Sequence, residues 1–249
     1  MQLNGKVALI TGGTKGIGAA TAILLARQGA DVAIAGRHED GEAIKTKNTI
    51  ESAGCKCLMI KADMADADDA VRCVNQTNEQ LGPLDVLVHC AGGNVTGGLL
   101  EVTPEAWHEG FNVHVHAVFH LCRAVIPIMR KKREGAIVLI SSVAGIRSLP
   151  TNIGYQVVKG AIIQFTRGLA REFADHNIRI NCVAPGIIRT AFHQNMTAQQ
   201  KKLNLDHRIP LHREGTPQQV AELIGELITN DYITGETVTI DGGLTMRIA

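Results

Sequence analysis

Short apolar runs alternate with longer amphipathic segments along this chain. The apolar runs are rich in β-formers and fall at 7–11 (VALIT), 31–35 (DVAIA), 57–61 (CLMIK), 85–90 (DVLVHC), 136–141 (AIVLIS), 178–183 (IRINCV) and 237–240 (TVTI). Between them, stretches near 17–28, 40–53, 67–80, 104–132, 153–175 and 217–229 carry apolar residues at helical spacing. The runs contain few alternating polar positions, which predicts strands buried on both faces. Strand and helix in strict alternation, joined by right-handed crossovers, build an α/β fold: a doubly wound parallel sheet with helices on both faces. No repeat, low-complexity segment or linker divides the chain, so one domain over 1–249 is expected. The longest stretch without periodicity, about 186–215, predicts a substrate lid at about 187–212.

Composition narrows the partners. The chain is 45% hydrophobic but only 3% aromatic, with 26 glycines, so the core is aliphatic and tight turns are frequent. Net charge is +1 and no basic stripe is interleaved with aromatics, so no nucleic-acid partner is expected. RKKRE at 130–134 reads as a solvated helix C-terminus, favourable against the helix dipole. Six cysteines at 55, 57, 73, 90, 122 and 182 form no C-x-x-C pair, as expected of reduced, mostly buried thiols in a cytoplasmic protein. No uninterrupted apolar run approaches the length of a membrane span, and none is expected.

The first strand runs into TGGTKGIG, Thr11 to Gly18, ahead of an alanine-rich helix. Glycine permits positive φ and close approach of the backbone to a ligand. A helix N-terminus offers free N–H groups and partial positive charge to a phosphate. The second strand ends on Gly36 and Arg37, where dinucleotide folds that bind an unphosphorylated ribose carry a carboxylate. With Lys15 in the loop and Arg37 at the strand end, a 2′-phosphate would meet cations, so NADP(H) is favoured over NAD(H).

A second constellation lies downstream. In YQVVK, Tyr155 and Lys159 are four apart and share one helix face. An ammonium beside a phenol stabilises the phenolate and lowers its pKa, so Tyr155 could exchange a proton with a substrate oxygen near neutral pH. SSV at 141–143 closes the fifth strand and places a serine at the carboxyl edge of the sheet, where ligands bind in such folds.

Together these residues resemble the short-chain dehydrogenase/reductase family along essentially the whole chain. The resemblance rests on TGGTKGIG at 11–18, Asp63 after the third strand, AG at 91–92, Ser142 thirteen positions before Tyr155, YQVVK at 155–159, NCVAPG at 181–186 with Thr190, and TGETVTIDGG at 234–243. It implies a seven-stranded Rossmann-type sheet and a carbonyl or secondary-alcohol substrate. It also implies a homotetramer or homodimer that pairs the helices near 104–132 and 153–175. Tyr155 would be the general acid/base, Lys159 would tune it and hold the nicotinamide ribose, and Ser142 would bind the substrate oxygen. The cofactor would lie against Gly12, Thr14, Lys15, Gly16, Ile17, Gly18, Arg37, Asp63, Met64, Ala91, Gly92, Tyr155 and Lys159. Pro185, Gly186, Ile188 and Thr190 would face its nicotinamide side. Asn94, Ala144 and Asn152 would reach the substrate.

Two positions depart from the family. Its NNAG after the fourth strand is HCAG here, His89 to Gly92. Its asparagine on the long fourth helix, counted from Trp107 and back from Phe119, is His114. Either His114 replaces that asparagine in a proton relay from the lysine, leaving a pH signature near 6–7, or it fills space while the relay is rebuilt elsewhere. FNVHVHAVFHLC at 111–122 also invites a metal reading. Two helical residues rotate about 200°, so His114 would look away from His116 and His120, and a zinc site needs three protein ligands. No metal is expected, and His116 and His120 read as packing or interface residues.

The sequence leaves two rivals to a reductase or dehydrogenase: a non-catalytic dinucleotide sensor, and a non-redox enzyme such as a dehalogenase or dehydratase. The intact Ser142, Tyr155 and Lys159 argue against the first, and Gly12, Gly16 and Gly18 against the second. Gln194, Asn195, Gln199, Gln200, Lys201 and Lys202 in the lid lean toward a polar substrate such as a sugar, polyol or hydroxy acid.

Overall fold

The structure, a computed structural model, describes residues 1–194 and 196–246, with His193 by its main chain alone. Seven parallel strands form one sheet: β1 (Val7–Thr11), β2 (Asp31–Gly36), β3 (Cys57–Lys61), β4 (Val86–His89), β5 (Gly135–Ile140), β6 (Ile178–Pro185) and β7 (Thr237–Ile240). Their order is β3-β2-β1-β4-β5-β6-β7, so the direction of winding reverses between β1 and β4. That reversal opens a crevice at the carboxyl ends of the two strands. Register at the crevice pairs Thr11 with His89.

The strands are apolar on both faces because helices cover both. Leu9, Leu87 and Ile137 point into one aliphatic layer with Leu121 and Val125. Their neighbours Ile10, Val88 and Val138 point into the other, with Leu25 and Ile224. The helices are α1 (Gly16–Arg27), α2 (Gly41–Ser52), α3 (Ala67–Gln80), α4 (Pro104–Phe111), α5 (Ala117–Lys132), α6 (Ile153–Phe173), α7 (Ala198–Leu203) and α8 (Pro217–Thr229). Side-chain caps start several of them: Asp40 accepts from the amides of Glu42 and Ala43, and Thr216 forms a capping box with Gln219. At the amino ends of the central strands, buried Asp85 accepts from the Val7 amide and pairs with Lys6 and Lys132. Removing either lysine alone would leave that carboxylate partnered by the other.

Two expectations change. The stretch 104–132 is not one regular helix: a π turn at Asn112–His116 separates α4 from α5. The irregular 186–215 stretch contains a 3₁₀ turn at Ala191–His193, α7, and a second π turn at Asn204–Arg208. Polar residues hid α7, which is a single exposed turn and a half held by a Thr197–Gln200 capping box. Taken as one stretch, Pro104–Lys132 is long and apolar enough to cross a bilayer. In this fold its apolar stripe of Leu121, Val125 and Met129 is fully buried against the sheet.

Candidate active site

The glycine loop between β1 and α1 is shaped for a ligand. Gly12 and Gly16 have φ of +62° and +59°, a region that side chains disfavour. A Cβ at Gly12 would come within 2.7 Å of the Ala91 amide nitrogen, and one at Gly18 would overlap the Gly12 carbonyl. Thr14 is held by its carbonyl, which accepts from Thr46 Oγ1 at 3.0 Å, and its side chain packs on Gly36. Helix α1 follows Lys15 with no side-chain cap and no acidic residue in its first turn. Its leading amides are therefore open to an anion, and the loop fits a dinucleotide diphosphate.

The other cofactor candidates flank this loop. Lys15 and Arg37 are both exposed, at the loop and beyond β2. Asp40, three residues beyond Arg37, is committed to capping α2, and Glu39 between them is exposed. Asp63 accepts from the Ala65 amide at 3.0 Å and is half-buried, and Met64 is buried beside it. Gly186 packs so closely on Asp241 that a Cβ there would lie within 2.8 Å of it. The Ile188 side chain is buried in the aliphatic layer, and its main chain bridges to Gly215. Thr190 packs against Gly16, 3.5 Å from a Cβ built there, so the 187–212 segment begins directly over the glycine loop.

Ser142, Tyr155, Lys159 and His114 converge across the crevice. Ser142 hydrogen-bonds Tyr155, and its Oγ also accepts from the Ala144 amide at 3.2 Å. The Lys159 Nζ lies 5.6 Å from the centre of the Tyr155 ring and donates to the Ile140 carbonyl at 2.8 Å. The His114 ring meets Tyr155 edge-on at 6.1 Å, and Phe192 from the lid lies 6.0 Å from it on another side. Asn152 starts α6 and bridges to Gly97, whereas Asn94 is exposed. Of the three substrate candidates, Ala144 is the buried one.

Electrostatics differs from the simple expectation at two residues. Burial pushes Tyr155 above its usual value of 10, opposed by the bond with Ser142. Lys159 does not lower it here, because its ammonium is turned to the Ile140 carbonyl. Burial lowers Lys159 itself to about 8. His114 is held down to about 2, first by burial and then by the charge of Lys159. It is neutral throughout the physiological range, so a pH signature near 6–7 is not expected of it.

Other residues of the site carried little signal in the sequence. Ser141 Oγ donates to the Lys159 carbonyl at 2.7 Å and anchors α6 to the strand end. His89 is buried; its Nδ1 accepts from Thr11 Oγ1 at 2.8 Å and its Nε2 donates to the Val113 carbonyl at 3.2 Å. His116 is exposed and half-buried His120 packs on Phe119, so neither faces His114. Among the described residues no group of three or more His, Cys, Asp or Glu could hold a metal ion. All six cysteines are free, three buried and three partly so. In the 187–212 segment, Gln194 and Lys201 line a cleft of about 480 Å³ with Arg189, Thr190 and Glu214. Gln199 and Lys202 are exposed, Gln200 caps its own helix, and Asn195 lies outside the described residues. The polar character of the 187–212 segment therefore belongs partly to its solvent face.

Comparison with known proteins agrees with this geometry. Residues 12–245 match the family described as enoyl-(acyl carrier protein) reductase. The chain is 37% identical over 248 residues to a 3-oxoacyl-(acyl-carrier-protein) reductase of Thermotoga maritima, covering 99% of this chain and 100% of the relative. A putative short-chain alcohol dehydrogenase from Sinorhizobium meliloti superimposes with a TM-score of 0.93 at 31% identity, over 98% of each chain. A blue fluorescent protein from a metagenomic library, solved with NADPH, superimposes with a TM-score of 0.90 at 33% identity, over 98% of this chain and 100% of its own.

Proposed function

This chain belongs to the short-chain dehydrogenase/reductase family, and from that premise we propose that it interconverts a carbonyl and a secondary alcohol with NADP(H), using Tyr155 as general acid/base. The observation that carries this reading is the convergence of Ser142, Tyr155 and Lys159 across the crevice from an uncapped glycine-loop helix. A bound reduced nicotinamide supplies the hydride. Ser142 holds the substrate oxygen, and the Tyr155 hydroxyl delivers its proton to that oxygen. The raised Tyr155 pKa keeps the phenol protonated, which suits carbonyl reduction. Gly12, Thr14, Gly16, Ile17 and Gly18 would hold the diphosphate, Asp63 and Met64 the adenine side, and Ala91, Gly92, Pro185, Gly186, Ile188 and Thr190 the nicotinamide side. Lys15 and Arg37 would select the 2′-phosphate. The carbonyl would enter beneath Phe192, between Ala144 and Asn152, under the lid. We place the chain in a homotetramer or homodimer through α4–α6, where Phe119 and Val157 remain exposed.

Fluorescence titration with NADPH and NADH tests the cofactor, followed by turnover of 3-oxoacyl thioesters and small ketones. The thioesters come first because the Thermotoga relative is named for them. NADPH is expected to bind at least about tenfold more tightly than NADH, and Arg37→Ala to bring the two within about threefold, the loss of one to two charge-assisted bonds. Equal binding in the parent protein would overturn the NADP(H) assignment. Tight binding without any turnover would favour a sensor. Gly18→Ala, which drives a methyl group into the Gly12 carbonyl, is expected to abolish binding of either dinucleotide while Arg37→Ala retains it. Unchanged affinity in Gly18→Ala would remove the loop from the site.

A further inference from the structure

Two buried histidines stand where the family has asparagines, and the structure joins them across the same gap. His89 ends β4, and its Nε2 reaches the carbonyl of Val113 in the π turn. His114 lies in the π turn, and its Nε2 reaches back 2.9 Å to the carbonyl of Gly93, just beyond β4. Each segment thus lends a ring to the other segment's main chain. Both rings are 2% exposed. A carbonyl can only accept, so the His89 Nε2 carries the hydrogen; the His114 Nε2 lies 2.9 Å from the Gly93 carbonyl and 3.4 Å from the Gly93 amide nitrogen, and the shorter contact assigns it the hydrogen as well. The remaining nitrogen of His89 then accepts from the Thr11 hydroxyl, whose oxygen lies 3.4 Å from the Ala91 amide. The His114 ring lies over Gly92 so closely that a Cβ there would come within 2.9 Å of its Nδ1. Cys90–Gly93, the floor of the nicotinamide half of the cleft on the reading above, is therefore fastened at both ends.

We propose that His89 and His114 form a reciprocal clasp that positions the Cys90–Gly93 floor against the π turn and acts as one unit on dinucleotide binding and turnover. Neither ring is a proton carrier. Both are positioning residues, and the π turn is the partner that makes the clasp possible. A π turn leaves a main-chain carbonyl free of its regular helical partner, and Val113 supplies one to His89. The clasp must stay neutral to keep its two donors aimed at carbonyls. The charged group that faces both rings is the Lys159 ammonium, which opposes their protonation along with burial. The neighbouring Cys90 thiol is pushed up to about 12 and adds no charge. Tyr155, also neutral, closes the other side of His114.

Nitrogen-15 NMR of the histidine-labelled native protein tests the clasp without any substrate. Two of the ten rings are expected to hold the neutral Nε2–H form, with no shift change from pH 5.5 to 8. Those two signals should disappear, one each, in His89→Gln and His114→Gln. Titration of either assigned ring in that range, or an Nδ1–H form, would overturn the proposal. The second readout is the NADPH dissociation constant and kcat of His89→Ala, His114→Ala and the double variant, each normalised to its folded fraction by circular dichroism. Each single substitution is expected to raise the NADPH dissociation constant about tenfold, and the double to exceed the worse single by no more than about threefold, as for coupled neighbours. Glutamine, whose amide nitrogen falls near the Nε2 position, is expected to restore each site to within about threefold of the parent. Independent, multiplying effects, or folded alanine variants with unchanged NADPH affinity, would show packing without a clasp. Should no carbonyl be turned over, the proposed activity fails, while the NMR and NADPH titrations still decide the clasp.

Discussion

Replacing Tyr155 by Phe is expected to lower kcat by about 10²–10⁴-fold, the range for losing a positioned general acid, and to leave the NADPH dissociation constant nearly unchanged. The substitution removes one oxygen and keeps the ring. The edge-on contact with His114 and the contact with Phe192 both survive, because each is made by the ring. What is lost is the hydroxyl that Ser142 engages and that, on the proposed function, would deliver the proton. The native profile carries a further signature. Lys159 titrates at about 8, and its ammonium is lost as pH rises through that value. With it would go the charge expected to hold the nicotinamide ribose, so reduction is expected to slow above about pH 8, well before an ordinary lysine would titrate. The measurement is absorbance of the reduced nicotinamide during turnover of the carbonyl panel, from pH 6 to 9.5. A Tyr155→Phe enzyme within tenfold of the parent would remove Tyr155 as the general acid.

Acid is expected to weaken the fold steeply, and the buried histidines should account for most of that loss above pH 5. Burial and the Lys159 charge hold His89 at about 3 and His114 at about 2, against an ordinary 6.5. In the unfolded chain both rings take up protons as pH falls through 6.5, while in the folded chain they do not. The unfolded state therefore binds more protons, so stability is fully present above 6.5 and declines as pH drops toward 3. Each group contributes about 2 kcal/mol of loss by pH 5, or about 4 kcal/mol for the pair. That is a large share of the 5–15 kcal/mol typical of a folded domain. Urea midpoints at pH 5, 6 and 7.5 for the parent and for His89→Gln/His114→Gln provide the check. The parent should lose stability over that range and the double variant should lose much less. Parallel pH dependences would mean that the two rings are already accessible to protons.

Much of the architecture is legible in local pattern. Every predicted strand appears within one or two residues of its expected bounds, because an apolar run buried on both faces reads the same in sequence and in space. The glycine loop was equally visible, since positive φ and close backbone approach demand a residue without a side chain. Helical spacing pairs Tyr155 with Lys159 and the strand end offers a serine, while the resemblance to the family singles out Ser142. Less legible was α7, whose polar turn and a half carries no apolar period. The π turn was hidden as well, because 104–132 keeps an almost continuous helical pattern through it.

The sequence by itself determined the alternation of strands and helices, the glycine loop, the family and the candidates for proton handling. Each of these rests on short local motifs, the family on several of them read together along the chain. The tertiary structure alone decided the strand order, the protonation of the buried groups and the roles of the two histidines. His89 bonds Thr11 from 78 residues away and Val113 from 24. His114 is neutral because of how deeply it lies and because Lys159, from another helix, is near. Hydrogen-bond partners and desolvation are properties of the space around a side chain. That space is assembled from distant parts of the chain, so no local pattern encodes it.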